Sequence, residues 1–92
     1  MPPARPDLWM NSSTTAEFRA AFESLPPETR ARVRRAFRLW LANPRHPSLR
    51  FKKVGDVWSV RVGRDHRALA LLRNDTFYWF WLGSHDDYLK LI

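Results

Sequence analysis

The stretch from Val57 to Ile92 constrains this fold most. Three runs rich in Val, Leu and aromatic residues follow one another there: Val57–Gly63, His66–Leu72 and Thr76–His85. Short polar turns separate them, and apolar runs bounded by Gly, Asp and Asn read as strands of an antiparallel meander. Gly63-Arg64-Asp65 supplies the first turn. Asn74-Asp75 fits a two-residue hairpin loop, because both residue types tolerate positive φ. Alternation in the first strand places Trp58, Val60 and Val62 on one face, with Ser59 and Arg61 on the other. The third run is apolar on both faces, which asks for a central or covered position. Within it, Tyr78-Trp79-Phe80-Trp81 reads as core rather than as a base-stacking platform. Ser84 then opens a short last helix, with Asp87 completing a Ser-x-x-Asp capping box, and Tyr88, Leu91 and Ile92 fold back on the sheet.

Upstream, the period changes from strand to helix. Thr14-x-x-Glu17 is a capping box that starts a first helix. Phe18, Ala21, Phe22 and Leu25 follow at helical spacing. Pro26-Pro27 breaks the chain and opens a second helix, from about Glu28 to Ala42, whose buried stripe is Val33, Ala36, Phe37, Trp40 and Leu41. Asn43-Pro44 stops it, and the short connection predicts an antiparallel helical hairpin. Asn43 to Val54 reads as a loop anchored by Phe51 and Val54. Residues 1–9 are Pro-rich and aperiodic, a flexible tail with room for a short edge strand around Leu8–Asn11; residues 10–92 form one domain. The expected class is α+β: an N-terminal helical hairpin packed on a small antiparallel sheet, built as a three-stranded meander with an optional extra edge strand, and a short C-terminal helix.

Composition excludes several classes. The 92 residues hold no Cys, so disulfides and thiolate zinc sites are absent and a reducing compartment is expected. No apolar run has the length of a membrane span, and the N-terminal residues lack the apolar segment of a signal peptide; the expected location is the cytoplasm, with no membrane partner. The net charge is +7, and every charged residue between Arg30 and Lys53 is Lys or Arg. Such a field attracts polyanions, although a solvated helix face or an acidic protein partner fits the composition equally. No Gly-rich phosphate loop or paired carboxylates occur. His46, His66 and His85 are scattered, so neither a metal nor another cofactor is expected.

A few residues have chemical uses beyond packing. His85, at a strand-to-helix junction, suits a general acid or base, or a simple hydrogen bond at the helix start. Arg61 and Arg67 stand in otherwise apolar strands, where an unpaired charge is costly. Each reads as a fork for phosphate or as half of an ion pair with Asp65, Asp75 or Asp86; Arg61 gains the functional reading only beside Arg67 on the same face. Lys52 and Lys53, with Arg50 before them and Arg64 in the first turn, are candidates for holding a phosphate backbone or simply exposed. Tyr88 either stacks on a base or packs over Leu72 or Trp81.

The order helix, helix, basic loop, meander, short helix resembles the RelE/ParE superfamily of bacterial toxins. The resemblance is carried by Asn43-Pro44-x-His46-Pro47-Ser48-Leu49-Arg50-Phe51-Lys52-Lys53, by Trp58-Ser59-Val60-Arg61-Val62-Gly63, by Asp65-His66-Arg67-Ala68, and by Trp79-Phe80-Trp81-Leu82-Gly83-Ser84-His85-Asp86-Asp87-Tyr88. It covers nearly the whole chain after Ser12. It implies a type II toxin held by a cognate antitoxin and, in the RelE/YafQ-like branch, a metal-independent endoribonuclease that cuts mRNA on the ribosome by 2′-hydroxyl attack on the adjacent phosphate. By the same resemblance, Arg67 matches the arginine that grips the scissile phosphate, with Arg61 as helper. His85 resembles the late histidine that moves the proton, Tyr88 matches the terminal aromatic that orients the nucleotide, and Lys52 and Lys53 fall where basic residues meet RNA. The last strand departs from the pattern in carrying no Arg, and the first strand is short or missing. The superfamily also holds ParE, which inhibits DNA gyrase without nuclease groups; that activity, or an inactive antitoxin-binding member, is the alternative on one shared scaffold.

Overall fold

The computed structural model describes residues 11–91. Its order is β1 (Asn11–Thr14), α1 (Ala16–Glu23), α2 (Pro27–Ala42), a 3-10 turn (Pro47–Leu49), β2 (Lys52–Val54), β3 (Val57–Val62), β4 (His66–Arg73), β5 (Thr76–Ser84) and α3 (His85–Leu91). The expected tail, residues 1–9, lies outside the described residues.

The meander forms as its apolar runs demand. β3, β4 and β5 pair antiparallel in sequence, and Asn74 and Asp75 make the two-residue loop with φ of 50° and 63°. The sheet is larger than a meander, however. It has five strands in the order β1-β5-β4-β3-β2. Lys52 and Lys53, expected in a loop, pair with Ser59 and Trp58 as the edge strand β2. β1 pairs parallel to β5, so the sheet is mixed, and the first strand is present, centred a few residues later than Leu8–Asn11. β5 is thereby flanked on both edges, as its two-faced apolar character requires.

The helix starts show which threonine wins a competition. Thr14 is held in the β1 ladder opposite Trp79, so Thr15 takes the N-cap of α1 and accepts from the Phe18 amide at 3.1 Å. The expected Thr14-x-x-Glu17 box does not form; Thr14 instead accepts twice from Arg19 Nη1. α2 begins with Pro27 at its first position, where the missing N–H costs nothing. Ser84 caps α3 by accepting from the Asp87 amide at 3.0 Å, while the Asp87 carboxylate turns to Lys90 at 3.7 Å, so only half of that box is made.

The core lies between α1, α2 and one sheet face. Val33 and Trp40 of α2 meet Val60, Val62, Ala68, Ala70, Phe77, Trp79 and Leu82, with Leu49 below. Trp40 is the hub. Its ring stands edge-on to Phe51, Phe77 and Trp79 at 5.7, 5.2 and 5.3 Å, the geometry that aromatic quadrupoles favour. The buried stripe of α2 is narrower than its spacing predicts: Phe37 and Leu41 stay 38% and 44% exposed. No residue of α1 is fully buried. Between α1, α2 and the sheet an apolar trough of about 520 Å³ therefore stays open, lined by Phe18, Phe22, Phe37 and Trp40 among others.

A candidate phosphate-binding hollow

The sheet face away from α1 and α2 carries the candidate site. Cross-strand partners project from the same face, so the register reads it out directly. Lys52 stands across from Ser59, Ser59 across from Leu69, and Leu69 across from Trp81. In the adjacent row Arg61 stands across from Arg67, and Arg67 across from Gly83. Lys53, opposite Trp58, points to the other face. The two lysines that the sequence treats alike are thus separated by strand alternation.

Two arginines directly opposite each other repel, and a sheet does not normally place like charges so. Neither finds an acid. The ion pairs considered for them with Asp65, Asp75 or Asp86 do not form among the described residues, where the one salt bridge joins Lys90 to Asp87. Arg61 donates Nε–H to the Gly63 carbonyl at 2.9 Å. Arg67 is 9% exposed. It donates from Nη1 to the Ser59 hydroxyl at 3.2 Å, and its Nε has no hydrogen-bond partner. Tyr88 of α3, itself 4% exposed, lays its ring 4.9 Å from the Arg67 guanidinium carbon. The phenol therefore covers the arginine rather than Leu72 or Trp81. A cation–π contact of this kind holds a guanidinium in place without neutralising it.

Arg61, Arg67 and His85 line one hollow of about 210 Å³, together with Arg50, Arg64 and His66. Several parts of the chain build it. Arg50 follows the 3-10 turn in a left-handed conformation, φ 44°, Arg61 ends β3, Arg64 lies in the turn whose Gly63 has φ 62°, and His66 and Arg67 begin β4. His85 opens α3, its amide tied to the Asp65 carbonyl at 2.7 Å; its ring is 6.2 Å from that of Tyr88. Of the sequence candidates, Arg61, Arg67, His85, Arg50 and Arg64 converge, Tyr88 roofs Arg67, and Lys52 shares the face in the next row, across from Ser59. His66 was missed as a site residue. It borders the hollow at the start of β4, but its register partners Val62 and Ser84 put its side chain on the face opposite Arg61 and Arg67, so strand alternation gives no signal for it. Four guanidinium groups without a carboxylate, one of them buried with an unused donor, suit a tetrahedral oxyanion. The His85 imidazole lines the same hollow. Among the described residues no group of three or more His, Cys, Asp or Glu is placed to hold a metal ion.

No family model and no curated protein matches the sequence. Solved structures do match the fold. A YoeB/ParE toxin from Agrobacterium tumefaciens aligns with a TM-score of 0.65 at 13% identity over 83% of this chain and 99% of that one. The archaeal RelE–RelB complex from Pyrococcus horikoshii gives 0.60 at 18% identity over 80% and 92%. The RelBE2 toxin–antitoxin complex from Mycobacterium tuberculosis gives 0.59 at 19% over 83% and 91%. The chain has the fold of the RelE, YoeB and ParE toxins. Structures named for different branches fit about equally well, so the likeness is to the shared scaffold.

Proposed function

We propose that this chain, with its RelE/ParE-type fold, is the toxin of a toxin–antitoxin pair and acts as a metal-independent endoribonuclease on ribosome-bound mRNA. The observation that carries this is the convergence of Arg61, Arg67 and His85 on one hollow with no acidic side chain lining it among the described residues. Gyrase inhibition would not call for that arrangement; fold alone fits either activity.

The chemistry follows from the groups present. Arg67, with Arg61 across the strand, grips the two non-bridging oxygens of the scissile phosphate. One imidazole takes the proton from the 2′-hydroxyl as its oxygen attacks phosphorus. The bond to the 5′-oxygen breaks, and that oxygen receives a proton from solvent. The products are a 2′,3′-cyclic phosphate and a 5′-hydroxyl, and no other reactant is consumed. We assign the proton transfer from the 2′-hydroxyl to His85, and the proton it takes returns to solvent. The pentacoordinate phosphorane carries an extra negative charge, so the guanidinium groups bind it more tightly than the ground state. A hollow this small does not enclose a folded RNA, and orientation is left to the ribosome, an entropic contribution of about several kcal/mol. Arg50, Arg64 and Lys52 steer the backbone.

An antitoxin is the proposed partner in the cell. RelB accompanies RelE in relatives of this fold, and the open trough beside Phe37 offers an apolar segment a place to pack. Location in the cytoplasm follows from an mRNA substrate; among the described residues no helix is long and apolar enough to cross a membrane. The test is brief induction of the chain without antitoxin, with mapping of transcript ends alongside a supercoiling assay. The reading expects new mRNA ends, lost in Arg67→Ala and His85→Ala. Altered supercoiling with intact transcripts would replace it with the gyrase reading, and no growth defect in a sensitive host would leave an inactive antitoxin-binding member.

A further inference from the structure

The arginine face also carries an aromatic ring that neither the core nor the hollow explains. Trp79 and Trp81 are two residues apart and would share a face in a regular strand. A register shift between Leu69 and Ala70 breaks that rule: Ala70 pairs with Trp79 and Leu69 with Trp81, so Phe80 is the extra residue. Such a bulge reverses the alternation. Trp79 goes into the core, 3% exposed, and Trp81 emerges half-buried on the face of Ser59, Arg61 and Arg67. The aromatic run is core on one side and something else on the other.

What seats Trp81 is Gly83. A Cβ there would come within 2.6 Å of Cζ2 and 2.7 Å of Cη2 of the indole. The ring lies where any other residue's side chain would begin, against the strand position directly across from Arg67. A diagonal neighbour across two strands is about 7–8 Å away, within reach of large side chains.

We propose that Trp81, seated on Gly83, is a stacking platform for an unpaired RNA base adjacent to the phosphate held by Arg67 and Arg61. The inference rests on the phosphate reading of the hollow and adds to it a subsite for the base. Aromatic rings stack on any base, and loss of one such contact weakens binding by about 5- to 150-fold. The occupant is a single-stranded nucleic acid rather than a protein segment because the ring borders a row of unneutralised arginines, which an acidic backbone complements.

The test uses the whole protein and an uncleavable 2′-O-methyl RNA oligonucleotide at low salt, alongside versions with one abasic nucleotide moved along the strand. At one position, removal of the base weakens binding to the wild type by about 5- to 150-fold. Trp81→Ala loses the same factor and no longer distinguishes the abasic oligonucleotide, while Trp81→Phe keeps most of the effect. Gly83→Ala leaves the indole intact but puts a methyl in its seat; it matches Trp81→Ala and adds nothing on top of it, since the two act on one ring. Thermal melts check that each variant is folded. Base-independent binding by the wild type, a base effect that survives Trp81→Ala, or additive losses from the two substitutions would overturn the platform. The two layers are separable: if Arg67→Met loses binding while Trp81→Ala does not, the platform fails and the hollow stands, and if Arg67→Met binds like wild type, the hollow itself fails.

Discussion

Arg67→Met should make the protein more stable and inactive at once. The guanidinium is nine-tenths buried without an acid, and removing a cation from water costs several kcal/mol even after relaxation. Against that stand one bond from the charged guanidinium to a hydroxyl at 3.2 Å, worth about 1.5–3 kcal/mol, and the Tyr88 contact at 4.9 Å, worth about 1–2 kcal/mol. The unused Nε adds a penalty of about 1–3 kcal/mol. The sum is a net cost that an unbranched apolar side chain of similar length avoids while filling the same space. Chemical denaturation should show Arg67→Met stabilised by about 1–2 kcal/mol, and its melting temperature should rise by about 4–8 °C for each kcal/mol in a domain this small. Inorganic phosphate should raise the melting temperature of the wild type, since it binds only the folded state, and should do so much less for the variant. A variant destabilised by more than about 1 kcal/mol, beyond the usual surface scatter, would make the guanidinium a structural strut and refute the reasoning.

Other outcomes follow from single contacts. Ser59→Ala should destabilise the wild type by about 1–2 kcal/mol, because it strips Arg67 of its bond, and should cost little in the Arg67→Met background; a denaturant double-mutant cycle reads the coupling. Arg50 holds a left-handed backbone at φ 44° that disfavours a Cβ, so Arg50→Gly should stabilise by about 0.5–1 kcal/mol while slowing cleavage. Thr15→Ala should cost about 1 kcal/mol as a lost N-cap, and Thr14→Ala less; the reverse order by thermal melting would return the cap to Thr14. Phe37→Lys, on the open trough, should weaken antitoxin binding in calorimetry and leave cleavage unchanged.

The meander, the Asn74-Asp75 loop, the Pro27 helix start and the Ser84 cap were legible because each is fixed by a local pattern. β1 and β2 were not. Asn-Ser-Ser-Thr and Lys-Lys-Val have no strand pattern, and they are strands because β5 and β3 offer free edges. The same tertiary pairing takes Thr14 out of the cap. Phe37 and Leu41 fit the helical stripe but stay partly exposed. At the site, the residue types were readable and their meeting was not. Whether Arg61 faces Arg67, which of Lys52 and Lys53 joins them, and where His66 points all depend on register. The bulge that parts Trp81 from Trp79 leaves no mark in the residue order.

The claim that everything else leans on is that the arginine face breaks a phosphodiester by the neighbouring 2′-hydroxyl. Purified protein on ribosomes programmed with a defined mRNA tests it most directly, once with all-ribose message and once with a single 2′-deoxy nucleotide at the cut site. The account predicts a 2′,3′-cyclic phosphate end from the first, no cut at that position in the second, and none with Arg67→Met. Equal cutting of the deoxy message, or wild-type cutting by Arg67→Met, would contradict it.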